Sequence, residues 1–185
     1  MSHLILNAPF SNILIASLKA GDEVLLSGVI YTARDAAHKR LIALIDNGDN
    51  LPVDLQGQVL YYCGPTPAKP GRPIGSAGPT TSSRMDRYTP RLLAATGLKG
   101  MIGKGERSLE VIEAMKKHRA VYFAATGGAG ALIGKTIISS RVVCYEDLGP
   151  EAVYQLEVRN LPLIVAIDCR GNDLYKEGPS QFTLP

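Results

Sequence analysis

An α/β fold with a mixed sheet is the class this sequence predicts, on three observations. Short runs rich in branched apolar residues alternate with segments whose apolar residues recur at helical spacing. Mid-chain the order is strand, helix, strand, which implies a parallel pair joined by a right-handed crossover. Toward the C-terminus the strands follow one another too closely for helical crossovers, so that part of the sheet is antiparallel.

Residues 3–9 read as a short strand, and residues 13–18 as one amphipathic turn. Residues 22–31 form a buried strand, because Val24, Leu25, Leu26, Val29 and Ile30 are β-formers in a near-continuous run. Residues 34–45 carry Ala36, Ala37, Leu41, Ile42 and Leu44 as a helical stripe, and residues 58–63 another strand. The next stretch, 64–78, holds Pro65, Pro67, Pro70 and Pro73, with Pro79 just beyond. That density forbids a helix and a central strand. A long irregular segment inside a compact domain is usually functional. A helix is expected from Met85 to about Thr96, with Pro90 near its first turns or bending it. Then come a strand at 99–102, a helix at 108–118 and a strand at 120–124. A glycine-rich loop at 127–134 precedes strands near 136–144, 153–158 and 163–168. Residues 171–185 carry no motif, and that tail either packs on a partner or is loose. One domain spanning 1–185 is expected.

Composition narrows the function classes. The chain has 185 residues, 45% of them hydrophobic and 20% charged, as ordinary globular proteins do. A net charge of +3 without a basic, aromatic-interleaved run argues against nucleic acid as a partner. No apolar stretch approaches a membrane span and the N-terminus lacks a signal pattern, so no membrane partner is expected. Three widely separated cysteines, an odd number, fit a reducing cytoplasm.

The densest chemistry lies in Gly78-Pro79-Thr80-Thr81-Ser82-Ser83-Arg84-Met85-Asp86. Gly-Pro favours a turn, and the four hydroxyls favour capping the helix expected from Met85. A helix start offers free N–H groups and a positive field suited to a carboxylate or phosphate, and Arg84 can add a two-pronged bond. The alternative is a well-capped helix and nothing more. Arg34 stands at a strand-to-helix junction, where α/β proteins usually bind ligands; taken alone it is more often a solvated cation. His38, one turn on, reads as a structural histidine. Gly103-Lys104-Gly105 lets backbone approach a ligand while Lys104 supplies charge, unless it is only a tight turn. Residues 129–136 match a loose phosphate loop, but the residues after Lys135 have strand composition where a helix is required, so the match reads as chance. Cys63, Cys144 and Cys169 lack the close pair that anchors an iron–sulfur cluster, and read as core thiols.

Taken together, several motifs in register resemble the β subunit of class I fumarate hydratases. They are Tyr31-Thr32-Ala33-Arg34-Asp35-Ala36-Ala37-His38-Lys39-Arg40, Tyr62-Cys63-Gly64-Pro65-Thr66-Pro67, Gly75-Ser76-Ala77-Gly78-Pro79-Thr80-Thr81-Ser82, Ser83-Arg84-Met85-Asp86, Gly100-Met101-Ile102-Gly103-Lys104-Gly105, Gly127-Gly128-Ala129 and Asp168. The same module is the C-terminal domain of single-chain class I enzymes and the β subunit of L-tartrate dehydratase. The resemblance implies a swivelling β/β/α domain docked on an α subunit. That subunit carries a 4Fe-4S cluster on three cysteines, with one iron free for substrate, and this chain binds no cofactor or metal. The implied reaction is reversible hydration of fumarate to L-malate, with L-tartrate dehydration or a related hydratase as the alternative. Arg34, Arg84 and Lys104 are then the cations holding the dicarboxylate, and Thr80 is the base. Removing a proton beside a carboxylate loads that carboxylate with negative charge, which fixed donors stabilise. An alcohol needs a lowered pKa for that task, which the cations would supply. The chain would be inactive without its α subunit, and in isolation it could form a homodimer. A different class remains open, a non-catalytic anion- or nucleotide-binding module using residues 127–135.

Overall fold

The computed structural model describes residues 3–126 and 128–180. Strand β1 (Leu4–Ala8) leads through helix α1 (Asn12–Ser17) into β2 (Glu23–Thr32), to which it pairs in parallel. Ser11 caps α1 by accepting the Leu14 N–H at 3.2 Å, satisfying one of the helix's unpaired donors. Helix α2 (Asp35–Asn47) follows and ends at Gly48, whose φ of 76° is the left-handed cap that glycine supplies at little cost.

Strands β3 (Val59–Tyr61), β4 (Gly100–Gly103) and β5 (Val121–Ala124) extend the parallel sheet in order from β2. Helices α3 (Thr89–Thr96) and α4 (Leu109–His118) pack against it. Ser108 caps α4 through the Val111 N–H. After α5 (Gly130–Thr136) the chain enters β6 (Ile137–Cys144) and then β7 (Val153–Ile167), an antiparallel pair. Strand β7 also pairs antiparallel with both β5 and β2. The sheet therefore closes into a five-strand barrel, β2-β3-β4-β5-β7, with β1 and β6 attached outside the ring. Helix α6 (Leu174–Ser180) ends the described part and packs back on this chain, with Tyr175 against the α-helical layer. The tail's residues 181–185 lie outside the described residues, as does Gly127 of the glycine-rich loop.

Side-chain alternation divides the core. Tyr61, Ile102, Phe123, Leu26 and Val165 belong to one cluster that draws on every ring strand. Leu60, Tyr62, Met101 and Tyr122 point the other way, onto α2, α3 and α4. Strands β3, β4 and β5 are buried on both faces, as the inner strands of a covered parallel sheet are.

Three expectations are corrected. The helix expected from Met85 is split into a 3-10 turn (Ser82–Met85) and α3, with Pro90 in its first turn. The strands expected at 153–158 and 163–168 are one 15-residue strand. The polar Arg159-Asn160 pair looks like a turn but makes a bulge: Asn160 takes φ 52°, and its N–H donates to Ser27 Oγ at 3.0 Å. Residues 130–136 are helical, not loop. Here glycine serves contact: a Cβ on Gly134 would lie 2.5 Å from the Gly75 carbonyl oxygen.

Candidate active site

Because β2 to β5 are parallel, their C-terminal ends share one rim, where ligands of such sheets bind. Arg34 follows β2, Gly64 follows β3, and Lys104 follows β4. Residues 80–82 run between these ends and pair there through one isolated parallel bridge, Thr81 with Lys104. The Thr80 N–H donates to the Tyr62 carbonyl at 2.6 Å. The Lys104 N–H donates to the Thr80 carbonyl at 3.3 Å, and the Ser82 N–H to the Lys104 carbonyl at 2.9 Å. Thr80 is thus buried between the tips of β3 and β4, while the Lys104 side chain is exposed beside it. This backbone pairing explains why the hydroxyls cap no helix. Neither the 3-10 turn nor α3 has a side-chain N-cap bond, so the hydroxyls do not take the capping role expected of them.

Arg84 reaches the start of α2 through Asp35, the neighbour of Arg34 in the chain. Arg84 sits in the 3-10 turn and forks onto Asp35, Nε to Oδ1 at 3.0 Å and Nη2 to Oδ2 at 2.6 Å, with half its side chain exposed. Arg34, the residue before α2, donates from Nη2 to Glu151 Oε1 at 3.0 Å. Glu151 also accepts the Ala36 N–H at 2.8 Å, so it braces the start of α2. The Arg34 guanidinium lies close against Gly64, where a Cβ would come 2.9 Å from Cζ, and its buried Nε has no hydrogen-bond partner. The four predicted residues therefore share one rim, but both guanidiniums already hold a carboxylate of this chain. Sequence reasoning missed those carboxylates. Asp35 had a signal, since it stands next to Arg34 in the same motif; Glu151 had none.

The sequence model of the Fumarase C-terminus family matches residues 1–178. The chain belongs to that family. It is 39% identical over 168 residues to the putative L(+)-tartrate dehydratase subunit beta of Methanocaldococcus jannaschii, covering 88% of this chain and 86% of that protein. It is 37% identical over 175 residues to the aerobic class I fumarate hydratase of Escherichia coli K12, covering 93% of this chain and 32% of that enzyme. Fumarate hydratase 2 of Leishmania major is 36% identical over 165 residues, or 29% of its length. The chain thus spans about a third of the fumarate hydratases it matches and most of the tartrate dehydratase subunit.

Beneath the rim, this Fumarase C-terminus domain buries a network that sequence reasoning also missed. The Arg107 side chain is fully buried, with Nε 2.7 Å from Asp86 Oδ1 and Nη2 2.8 Å from Thr89 Oγ1. Its guanidinium carbon lies 5.3 Å from the Tyr62 ring centre and 5.1 Å from that of Tyr122. Burial alone would lower its pKa, but Tyr62, Asp86 and Tyr122 outweigh that and hold it raised. Tyr122 donates to the Gly105 carbonyl at 2.9 Å and shares a 2.8 Å bond with Ser82 Oγ. The Gly105 N–H donates to the Tyr175 hydroxyl at 3.1 Å. The loop carrying Lys104 is pinned from both sides.

Elsewhere the remaining candidates fall into place. His38 is fully buried, its Nδ1–H donating to the Arg34 carbonyl at 3.0 Å, and burial pulls its pKa down to about 4. It is a structural residue. Lys135 closes α5 directly before β6, the reverse of phosphate-loop geometry. Cys63 is a buried core thiol, but Cys144 and Cys169 are only half-buried, correcting the expectation of three core thiols. Cys144 ends a strand outside the ring, and Cys169 lies just past the end of β7, so neither is enclosed on all sides. Among the described residues, no three His, Cys, Asp or Glu side chains are placed to hold a metal ion. No helix among them is long and apolar enough to cross a membrane.

Proposed function

We propose that this chain is the β subunit of a heteromeric, cytoplasmic iron–sulfur hydro-lyase that reversibly hydrates fumarate to L-malate. The observation that carries this reading is the gathering of Arg34, Thr80, Arg84 and Lys104 on one rim of a Fumarase C-terminus domain. Dehydration of L-tartrate is the second reading, favoured because the tartrate dehydratase relative is covered over 86% of its length.

Among the described residues, the cysteines and acids are not grouped as a cluster requires. The 4Fe-4S cluster belongs to an α subunit. This chain's own residues bind and orient the dicarboxylate. Each guanidinium has five N–H donors, so Arg34 and Arg84 can keep their carboxylates and still present donors to substrate. Asp35 and Glu151 fix the direction of those forks. Thr80 takes the proton from carbon in the malate direction, and Lys104 beside it favours the charged form of the hydroxyl. The negative charge that builds on the adjacent carboxylate is met by fixed cations that need no reorganisation.

The test is anaerobic reconstitution with an α chain carrying three cluster cysteines, assayed with fumarate and with L-tartrate. The chain alone is expected to be inactive and the complex active. Thr80→Val in the complex should lower turnover by about 10²-fold or more, the usual scale for a proton carrier, while Thr80→Ser keeps part of the rate. Iron-free activity of this chain alone would overturn the subunit reading. Near-normal turnover by Thr80→Val would overturn the base assignment.

A further inference from the structure

The proline-rich loop that follows β3 does more than lead the chain to Thr80. Between it and α5 lies a cleft of about 340 Å³ whose wall includes Thr66, Lys69, Arg72, Ser76 and Lys135. No acidic side chain lines it. Among the described residues, none of its three cations takes part in an ion pair. Every other functional group on that wall is a hydroxyl. The wall can donate from each polar side chain, and it places like charges around one space. Such a wall favours an anion, and favours more strongly one that carries several charges.

Three features separate this cleft from a scatter of solvated surface cations. Lys69 and Arg72 are bracketed by Pro67, Pro70 and Pro73, whose rings fix the backbone between them. The loop is then closed on itself. The Thr66 N–H donates to the Ser76 carbonyl at 2.9 Å, the Gly75 N–H to the Thr66 carbonyl at 3.1 Å, and the Ser76 N–H to Thr66 Oγ1 at 2.7 Å. The Thr66 hydroxyl accepts in that last bond, so its own proton is free to donate into the cleft. Finally, the loop is clamped to α5. The Ala77 N–H donates to the Gly130 carbonyl at 3.1 Å, and Cβ atoms at Gly130 and Gly134 would each lie 2.5 Å from the loop, at Ser76 Oγ and the Gly75 carbonyl. Loop and helix form one body, so the backbone positions from which the three exposed cations reach the cleft are fixed relative to one another.

We propose that this cleft is an anion-binding site for a compact metabolite carrying at least two negative charges, either phosphorylated or polycarboxylate. Its volume falls within the range of small-molecule sites and is far below what a nucleic acid strand or a folded partner occupies. Three residues separate Ser76 from Thr80, and the segment is held at both ends by backbone bonds, to Thr66 and to Tyr62. Occupancy of the cleft thus bears directly on the segment that positions Thr80. Binding itself does not depend on the hydro-lyase reading.

The test uses the full chain and isothermal titration with pyrophosphate and with citrate, at constant ionic strength set by chloride. Saturable one-to-one binding is expected, weakened at least tenfold by Arg72→Glu and by Lys135→Glu, and unchanged by Lys117→Glu on the exposed end of α4. Arg72→Gln serves as the milder variant, with each protein's melting curve recorded to show that it folds. Preference for pyrophosphate assigns a phosphorylated ligand, and preference for citrate a polycarboxylate. Absence of saturable binding at millimolar anion overturns the proposal. So does binding that survives both charge reversals but is lost in Arg84→Gln, since the anion would then occupy the rim. Charge reversal that weakens only assembly with an α chain also overturns it, by making the cleft a protein contact.

Discussion

Arg107 carries a charge into a place with no solvent, and every direction around it is occupied by a partner. A buried ion pair gains little over a well-packed apolar substitute, but removing one partner strands the other's charge. Arg107→Met is therefore expected to lower the unfolding free energy by about 3–5 kcal/mol, read from urea denaturation. Most of that loss reflects Asp86 left without its cation, so Arg107→Met combined with Asp86→Asn should lose less than the single change. A combined loss equal to the sum of the two singles would show that the pair is not coupled. At this scale the sequence was legible where a residue type sits in a local motif. Arg34, Thr80, Arg84 and Lys104 could each be named from neighbours a few positions away. Glu151 could not, because it meets Arg34 across 117 residues of chain. Arg107 was hidden for another reason: burial of a cation is decided by the packing of Tyr62 and Tyr122, and a lysine- or arginine-bearing turn looks the same whether it faces water or core.

The element that matters most for the rim is the shortest, the strand-like segment 80–82 laid beside β4. It approaches so closely that a Cβ on Gly103 would stand 1.9 Å from Ser82 Oγ and 3.1 Å from the Tyr62 ring. Ser82 is held by Tyr122, so neither neighbour yields easily. Gly103→Ala should destabilise the fold by about 1–3 kcal/mol, as overpacked cores do, and should speed hydrogen exchange at the Ser82 amide, which donates to the Lys104 carbonyl. Ser82→Gly in the same background should restore slow exchange; failure to do so would place the strain elsewhere. Elements with a strong period, such as β2, α2, α4 and β5, were legible. Helix α5 was not, because its small residues carry no apolar stripe and it owes its place to tight contact with the proline-rich loop. The hydroxyl run 80–83 misled for a related reason. Its backbone donors go to Tyr62 and Lys104, and a helix cap competes with sheet pairing for the same groups.

For the molecule as a whole, the buried imidazole of His38 ties stability to pH. Its folded pKa of about 4 lies below the ordinary 6.5, because burial disfavours the charged form. Above 6.5 both folded and unfolded chains hold it neutral, and its contribution is complete. As pH falls below 6.5 the unfolded chain takes the proton first, so stability is lost progressively until about 4. The loss attributable to this group is about 3 kcal/mol. His38→Asn keeps a donor for the Arg34 carbonyl but does not titrate, so its urea midpoint should fall less steeply across that window. Equal slopes for the two proteins would rule the coupling out. The same scale shows where the sequence stops. By itself it determined the alternation of strands and helices, the antiparallel end of the sheet, the irregular proline-rich stretch and the residue types of the candidate site. Those properties are written in neighbours a few positions apart. Closure of the ring by β7, the placing of Arg34, Thr80 and Lys104 on one rim, and the pairing of both guanidiniums with acids were decided only by tertiary structure. They depend on hydrogen bonds and charges joining segments distant in the chain, and those segments meet only because the barrel closes.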